Sequence, residues 1–255
     1  MPRYKVTIAY DGTDFAGFQR QPEQRTIESV LTRVVNKIAK NDAGTIEVFG
    51  SGRTDSGVHA YGQVVHFDLP FSIPAEGLRH GLNSMFPLDL MAVEVEQVAD
   101  DFHSRFNTHG KQYRYKIARN EFVDPFKRRY AYNFKYNLDL DLIRTAMQDL
   151  IGVHDFTSFA AAGNSTKDFV REIYDVQLVE YPELNEIHFI FTGNGFLYNQ
   201  VRIMTAVLLE VGTKKRPVHD ILRLFTVKNR LEAPLTAPAH GLYLEKVFYE
   251  NTAKK

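Results

Sequence analysis

Residues 50–60 read Gly-Ser-Gly-Arg-Thr-Asp-Ser-Gly-Val-His-Ala. They follow the strand-like Ile46-Glu47-Val48-Phe49, and the run from Val58 to Leu69 reads as another strand. Three glycines within eight residues mark a loop with unusual backbone angles or a close approach to another group. Gly50-x-Gly52 after a strand invites comparison with a dinucleotide-binding turn. That turn needs a third small residue and then a helix whose N-terminus faces phosphate. Here the third position is Asp55, whose charge repels phosphate, and a strand follows. The segment is a loop that carries Arg53 and Asp55 two residues apart. Such a carboxylate is a nucleophile or general base if the loop lines a cleft, or it caps its own turn.

Working outward, Tyr4, Val6, Ile8 and Tyr10 share one face of a predicted strand, which the turn-rich Asp11-Gly12-Thr13-Asp14 ends. Ile27, Val30, Leu31, Val34, Val35 and Ile38 follow helical spacing, with Thr26 as N-cap. Strands are expected near 46–49, 63–69, 91–98 and 112–118, and a helix over 75–85. The second half repeats this alphabet. Helices are expected over 139–151 (stopped by Gly152), over 196–211, and after Pro217 with Ile221, Leu222, Leu224 and Phe225 on it. Strands fit 172–181, 186–193 and 241–249. Helices interleaved with mostly hairpin-type strands predict an α+β fold, with sheets covered on one face by helices. The expected halves are 1–105 and 106–255, with a soft boundary near 105–140.

The chain has 255 residues, 31 Lys+Arg against 31 Asp+Glu, and no cysteine. Thiolate metal sites, thiol nucleophiles and disulfides are thereby excluded. No apolar run reaches the roughly 18 residues that span a bilayer. The opening Met-Pro-Arg-Tyr-Lys lacks an apolar signal core, so a soluble cytoplasmic protein is expected. With zero net charge, an RNA-binding surface would have to concentrate its cations locally. Lys127-Arg128-Arg129 and Lys214-Lys215-Arg216 are the candidate clusters, and a solvated loop is the alternative for each.

Two more features stand out. The 196–211 helix is apolar almost all round, which marks a buried helix, yet it contains Arg202. Buried arginine needs a carboxylate or phosphate partner. Asp55 is one candidate, since a neighbouring cation keeps a carboxylate ionised; another acid or an exposed helix edge are the others. In Lys111-Gln112-Tyr113-Arg114-Tyr115-Lys116 the tyrosines share one face of a strand and the basic residues the other. That pattern suits stacking on bases and contact with phosphates, or a half-buried strand with a basic solvent face.

In this order the segments resemble the tRNA pseudouridine synthase A family. Gly52-Arg53-Thr54-Asp55-Ser56-Gly57-Val58-His59-Ala60 is similar to its catalytic motif. Further matches are Tyr10-Asp11-Gly12-Thr13, Phe18-Gln19-Arg20-Gln21, Gln63-Val64-Val65-His66-Phe67, Phe102-His103-Ser104-Arg105-Phe106 and Lys111-Gln112-Tyr113-Arg114-Tyr115. They continue through Asp155-Phe156-Thr157-Ser158-Phe159, Phe196 with Asn199-Gln200-Val201-Arg202, and Gly241-Leu242-Tyr243-Leu244, so the resemblance covers essentially the whole chain.

The resemblance implies a pseudouridine synthase fold of two similar halves, with mostly antiparallel sheets and the active site in the central cleft. It implies an isomerase acting on uridine at tRNA positions 38, 39 and 40 in the anticodon stem-loop, as a homodimer without metal or organic cofactor. The target nucleotide must leave the stack, at a cost of a few kcal/mol. Asp55 is then the nucleophile or base, Arg202 orients it, and Arg53 holds the flipped conformation. Tyr113 stacks on the uracil and can take the C5 proton, and Leu242 walls the pocket. Among the nine histidines no pair has metal-ligand spacing, and His59 and His66 read as packing residues. Two other classes compete: an RNA-binding module without chemistry, and a hydrolase using Asp55. The first gives no reason for the Arg-Thr-Asp loop, and the second lacks an evident partner to activate water.

Overall fold

The computed structural model describes residues 1–41, 43–161, 163 and 167–250. The chain falls into two compact units: Met1–His109 joined by Tyr243–Glu250, and Gly110–Leu242. The closing strand, assigned to the second half on sequence, therefore belongs with the first unit from Tyr243 onward.

In the first unit, β1 (Arg3–Tyr10) lies between β4 (Leu90–Val98) and β3 (His59–Asp68), antiparallel to both. β10 (Leu242–Phe248) joins β3 in parallel, with Tyr243 opposite His59. The β1 alternation holds: Tyr4, Val6, Ile8 and Tyr10 are buried and the residues between them half-exposed. Helix α1 (Ile27–Ile38) starts at Thr26, whose hydroxyl accepts from Ser29 N while Ser29 Oγ accepts from Thr26 N. α1 packs on α2 (Ala75–Met85), and α2 packs on β4, where Asn83 exchanges two hydrogen bonds with the Ala92 backbone.

The expected strand at 46–49 shrinks to β2 (Phe49–Gly50), paired with His66 and Val65. The cause is local. Ile46 N donates to Asn36 Oδ1 and Ile46 O accepts from Asn36 Nδ2, so α1 satisfies the peptide groups a ladder would need.

The second unit has β5 (Gly110–Ala118), β9 (Glu186–Gly193), β8 (Val170–Tyr181) and β7 (Gly152–Asp155) side by side and antiparallel, with β6 (Tyr132–Asn133) parallel to β5. Sequence reading missed β6 and β7, which are too short to show a period. Helix α3 (Leu140–Gln148) packs on α4 (Gln200–Gly212). Gly212 allows the approach, since a Cβ there would lie 2.5 Å from Ile143 Cδ1. α4 begins four residues later than expected because Asn199 sits at φ 62°, outside the helical basin. α5 (Asp220–Val227) likewise starts beyond Pro217, which lies in the preceding turn. No helix of the described residues is long and apolar enough to cross a membrane.

Candidate active site

The Asp55 loop is held by backbone on both sides. Ser51 N donates to Val64 O at 2.8 Å, and Phe18 N donates to Thr54 O at 3.0 Å. Val58 N closes a turn onto Asp55 O at 3.1 Å, with Gly57 at φ 77°. Side chains complete the frame. The Thr54 and Tyr10 hydroxyls share a buried hydrogen bond of 2.8 Å. Burial pushes the Tyr10 phenol above its ordinary pKa, so it stays neutral. Gln63, fully buried on β3, accepts from Ser51 Oγ at 2.6 Å and donates to Gly52 O at 3.0 Å.

The segment 10–18 is the loop's wall, and its two glycines stand where a side chain would not fit. A Cβ on Gly12 would lie 1.9 Å from Val58 O. One on Gly17, at φ 95°, would lie 2.9 Å from Thr54 O. Gly12 N lies 3.1 Å from His59 Nδ1, and the same ring nitrogen lies 3.2 Å from Asp11 Oδ1. His59 is buried and stacks on Tyr243 at 4.7 Å, a packing role in line with its sequence reading. Within this frame Asp55 is half-buried and Arg53 exposed.

The second unit supplies the other expected residues. Arg202 is half-buried, whereas its α4 neighbours Val201, Ile203 and Met204 are buried, so the helix is less completely enclosed than its composition implied. Its Nε donates to Ala237 O at 2.7 Å and its Nη1 to Asn199 Oδ1 at 2.6 Å. Gln200, wholly buried, accepts from Leu197 N at 2.8 Å and fixes the turn that enters α4. Tyr113 and Tyr115 point to the buried face of β5 as alternation requires. Tyr113 meets Phe196 edge to face at 5.1 Å. Tyr115 is wholly buried, donates to Pro238 O at 2.7 Å, and is kept neutral by burial. Leu242 is buried at the start of β10.

Arg53 and Asp55 thus share one loop of the first unit, while Tyr113, Arg202 and Leu242 belong to the second. The sequence reading gave no supporting role to Tyr10, Gly12, Gln63 and Asn199, which it met only as parts of matched segments, and it passed over Gly17. Only the glycines and the polar Gln63 within an apolar strand carried a usable signal. Of the basic clusters, Lys214 pairs with Asp139 at 3.2 Å, and Arg216 pairs with Glu210 at 2.8 Å and with Asp220. Lys127 Nζ binds Glu186 Oε1 and Leu184 O, both at 2.8 Å. Among the described residues no three His, Asp or Glu side chains gather as a metal-ligand set.

Residues 6–107 and 146–250 match the family model described as tRNA pseudouridine synthase. Three similar proteins are each named tRNA pseudouridine synthase A. That of Ligilactobacillus salivarius is 57% identical over 99% of this chain and 98% of its own. That of Leuconostoc mesenteroides is 54% identical over 98% and 100%. That of Limosilactobacillus reuteri is 52% identical over the full length of both. Among solved structures, an archaeal box H/ACA sRNP Nop10–Cbf5 complex aligns over 81% of this chain and 44% of that one. The TM-score is 0.34 at 11% identity.

Proposed function

The chain belongs to the tRNA pseudouridine synthase family, and from that premise we propose that Asp55 is the carboxylate with which it isomerises uridine to pseudouridine at positions 38, 39 and 40 of the tRNA anticodon stem-loop. The C1′–N1 bond breaks with its electron pair leaving on N1. The uracil turns, C5 bonds to C1′, C5 loses its proton and N1 gains one. The atoms balance without oxidant, reductant or hydrolysis. Asp55 starts this either by attacking C1′ or by removing a sugar proton on the way to a glycal. Arg202 supplies the positive charge that keeps such a carboxylate ionised. Tyr113 stacks on the uracil and accepts the C5 proton. Arg53 holds the extruded nucleotide, and Leu242 walls the base.

The observation that carries this reading is the loop itself. An aspartate stands in a glycine-studded turn fixed by main-chain hydrogen bonds from both sides, inside the first matched stretch. Preorganisation of that kind serves a reacting group better than a turn cap, because a misplacement of about 1 Å can cost roughly 100-fold in rate. A homodimer and a cytoplasmic location belong to the same proposal, on the strength of the resemblance.

The test uses tRNA tritiated at C5 of its uridines. The wild-type protein releases tritium without cutting the RNA. Asp55→Ala lowers release by at least about 10³-fold, while its tRNA Kd stays within a few-fold. Turnover near the wild-type rate in Asp55→Ala would refute the assignment.

A further inference from the structure

One surface of the second unit has no part in the roles above. The chain leaving β6 carries Tyr132, Phe134 and Tyr136 at alternate positions. Their rings meet edge to face in series, at 5.8 Å and then 5.3 Å. Two ammonium groups lie over the outermost ring, Lys135 Nζ at 5.9 Å and Lys215 Nζ at 5.6 Å from its centroid. Tyr136 is 56% exposed and both lysines are exposed. Neither lysine has an acidic partner among the described residues, although Lys214 and Arg216 on either side of Lys215 do.

The inner end of this series touches the scaffold of Arg202. Tyr132 meets the His240 ring at 6.4 Å. His240 lies just beyond Ala237 and Pro238, whose carbonyls accept from Arg202 Nε and from the Tyr115 hydroxyl. The surface is therefore built on the same 237–241 segment that orients Arg202.

An exposed aromatic ring with two ammonium groups over it, neither held by an acidic partner among the described residues, matches an unstacked nucleotide once those long side chains swing to its phosphates. The base offers a π-face, and the phosphates on its 5′ and 3′ sides offer the negative charge. An apolar protein partner fits less well, because covering Tyr136 would desolvate two lysines without pairing them. We propose that Tyr132, Phe134 and Tyr136 with Lys135 and Lys215 form an RNA-binding ladder that holds unstacked nucleotides of the tRNA next to the target uridine. This inference rests on the tRNA substrate assigned above and adds a binding surface to it. A base stacks on Tyr136, and the lysines take the flanking phosphates.

The experiment compares full-length wild type, Tyr136→Ala, Tyr136→Phe and the double variant Lys135→Ala/Lys215→Ala. The probe is an unmodified transcript of a tRNA with uridine at position 39. Filter binding from 50 to 200 mM salt gives Kd and its salt slope, tritium release gives KM and kcat, and sedimentation velocity gives the association state. Tyr136→Ala is expected to weaken Kd by about tenfold or more, with the loss larger in KM than in kcat. Tyr136→Phe restores it, which a role through the hydroxyl would not allow, and it keeps the test alive if the alanine variant unfolds. The lysine pair is expected to lower the slope of log Kd against log salt by about 1 to 2.

Kd and slope within experimental error of wild type in both sets would overturn the ladder. So would a changed association state with unchanged RNA affinity, which would assign the surface to protein contact. If wild type binds tRNA but releases no tritium, while the ladder variants still lose affinity, the activity assigned to Asp55 falls and the ladder stands. Normal turnover with unaltered binding in the variants sinks the ladder alone.

Discussion

Asp55 and Arg202 are presented by opposite means. Asp55 stands on a loop whose position is set by main-chain groups: Thr54 O receives Phe18 N, and Val58 N closes onto Asp55 O. Arg202 stands on a helix whose position is set by apolar side chains, with Ile203, Met204, Val207 and Leu208 wholly buried around it. A loop of the first kind tolerates no added atoms at its backbone contacts. A helix of the second kind tolerates volume-conserving repacking, and its polar side chain depends on a few specific hydrogen bonds. The failure modes should therefore differ: steric and all-or-none at the loop, graded and chemical at the helix.

The largest effect tests the steric half. In Gly12→Ala the new methyl would start 1.9 Å from Val58 O, a backbone atom that cannot rotate away. We expect a loss of about 3 kcal/mol in urea unfolding, the upper end for overpacking, with turnover falling further than stability because Asp55 moves with the loop. Wild-type stability and turnover in Gly12→Ala would show that the loop is not held by this contact, and the contrast with α4 would collapse.

A second effect separates the two regions by pH. The aliphatic packing around α4 does not titrate. Strand β3, which leads out of the loop, carries His66, whose Nδ1 lies 2.8 Å from Ser104 Oγ and whose ring is 4.6 Å from His103. Burial, with the charges of His103 and Arg3 outweighing Asp68, lowers its pKa from 6.5 to about 4. Below pH 6.5 the unfolded chain therefore takes a proton that the folded chain refuses. Stability falls as pH drops from about 6.5 to about 4 and levels off below, a loss of about 2 kcal/mol by pH 5. His66→Gln removes this contribution, so its stability gap to wild type should narrow across that window. A constant gap from pH 7 to 5 would remove His66 as the titrating group.

The same contrast explains what could be read from sequence. The helix itself was legible from its apolar run, within which Arg202 stood out as a conflict with its surroundings, and β1 and α1 showed clear periods. The chemistry proposed for the loop rests on resemblance, since a Gly-x-Gly-Arg-Thr-Asp string alone fits a turn cap as well as a catalytic carboxylate. Its supports were not legible. Tyr10 and Thr54 are 44 residues apart in sequence, and nothing local announces that their hydroxyls meet. The expected strand at 46–49 failed for a related reason, a side chain of α1 satisfying its peptide groups. Period reading sees side chains on one element, and these are pairings between elements.

The smallest effect tests the chemical half. Asn199 does two things at the start of α4: it adopts φ 62°, and its Oδ1 accepts from Arg202 Nη1 at 2.6 Å. Asn199→Gly keeps the backbone geometry without strain and deletes only the amide. Asn199→Ala deletes the amide and adds a left-handed penalty of about 1 to 2 kcal/mol. A hydrogen bond to a charged group contributes about 1.5 kcal/mol at the low end, so Asn199→Gly should lower kcat about tenfold with little change in urea midpoint. Asn199→Ala should show the same kcat loss and a lower midpoint as well. If both variants lose stability equally and kcat not at all, Asn199 is a cap for the helix, and Arg202 is oriented by the Ala237 carbonyl instead.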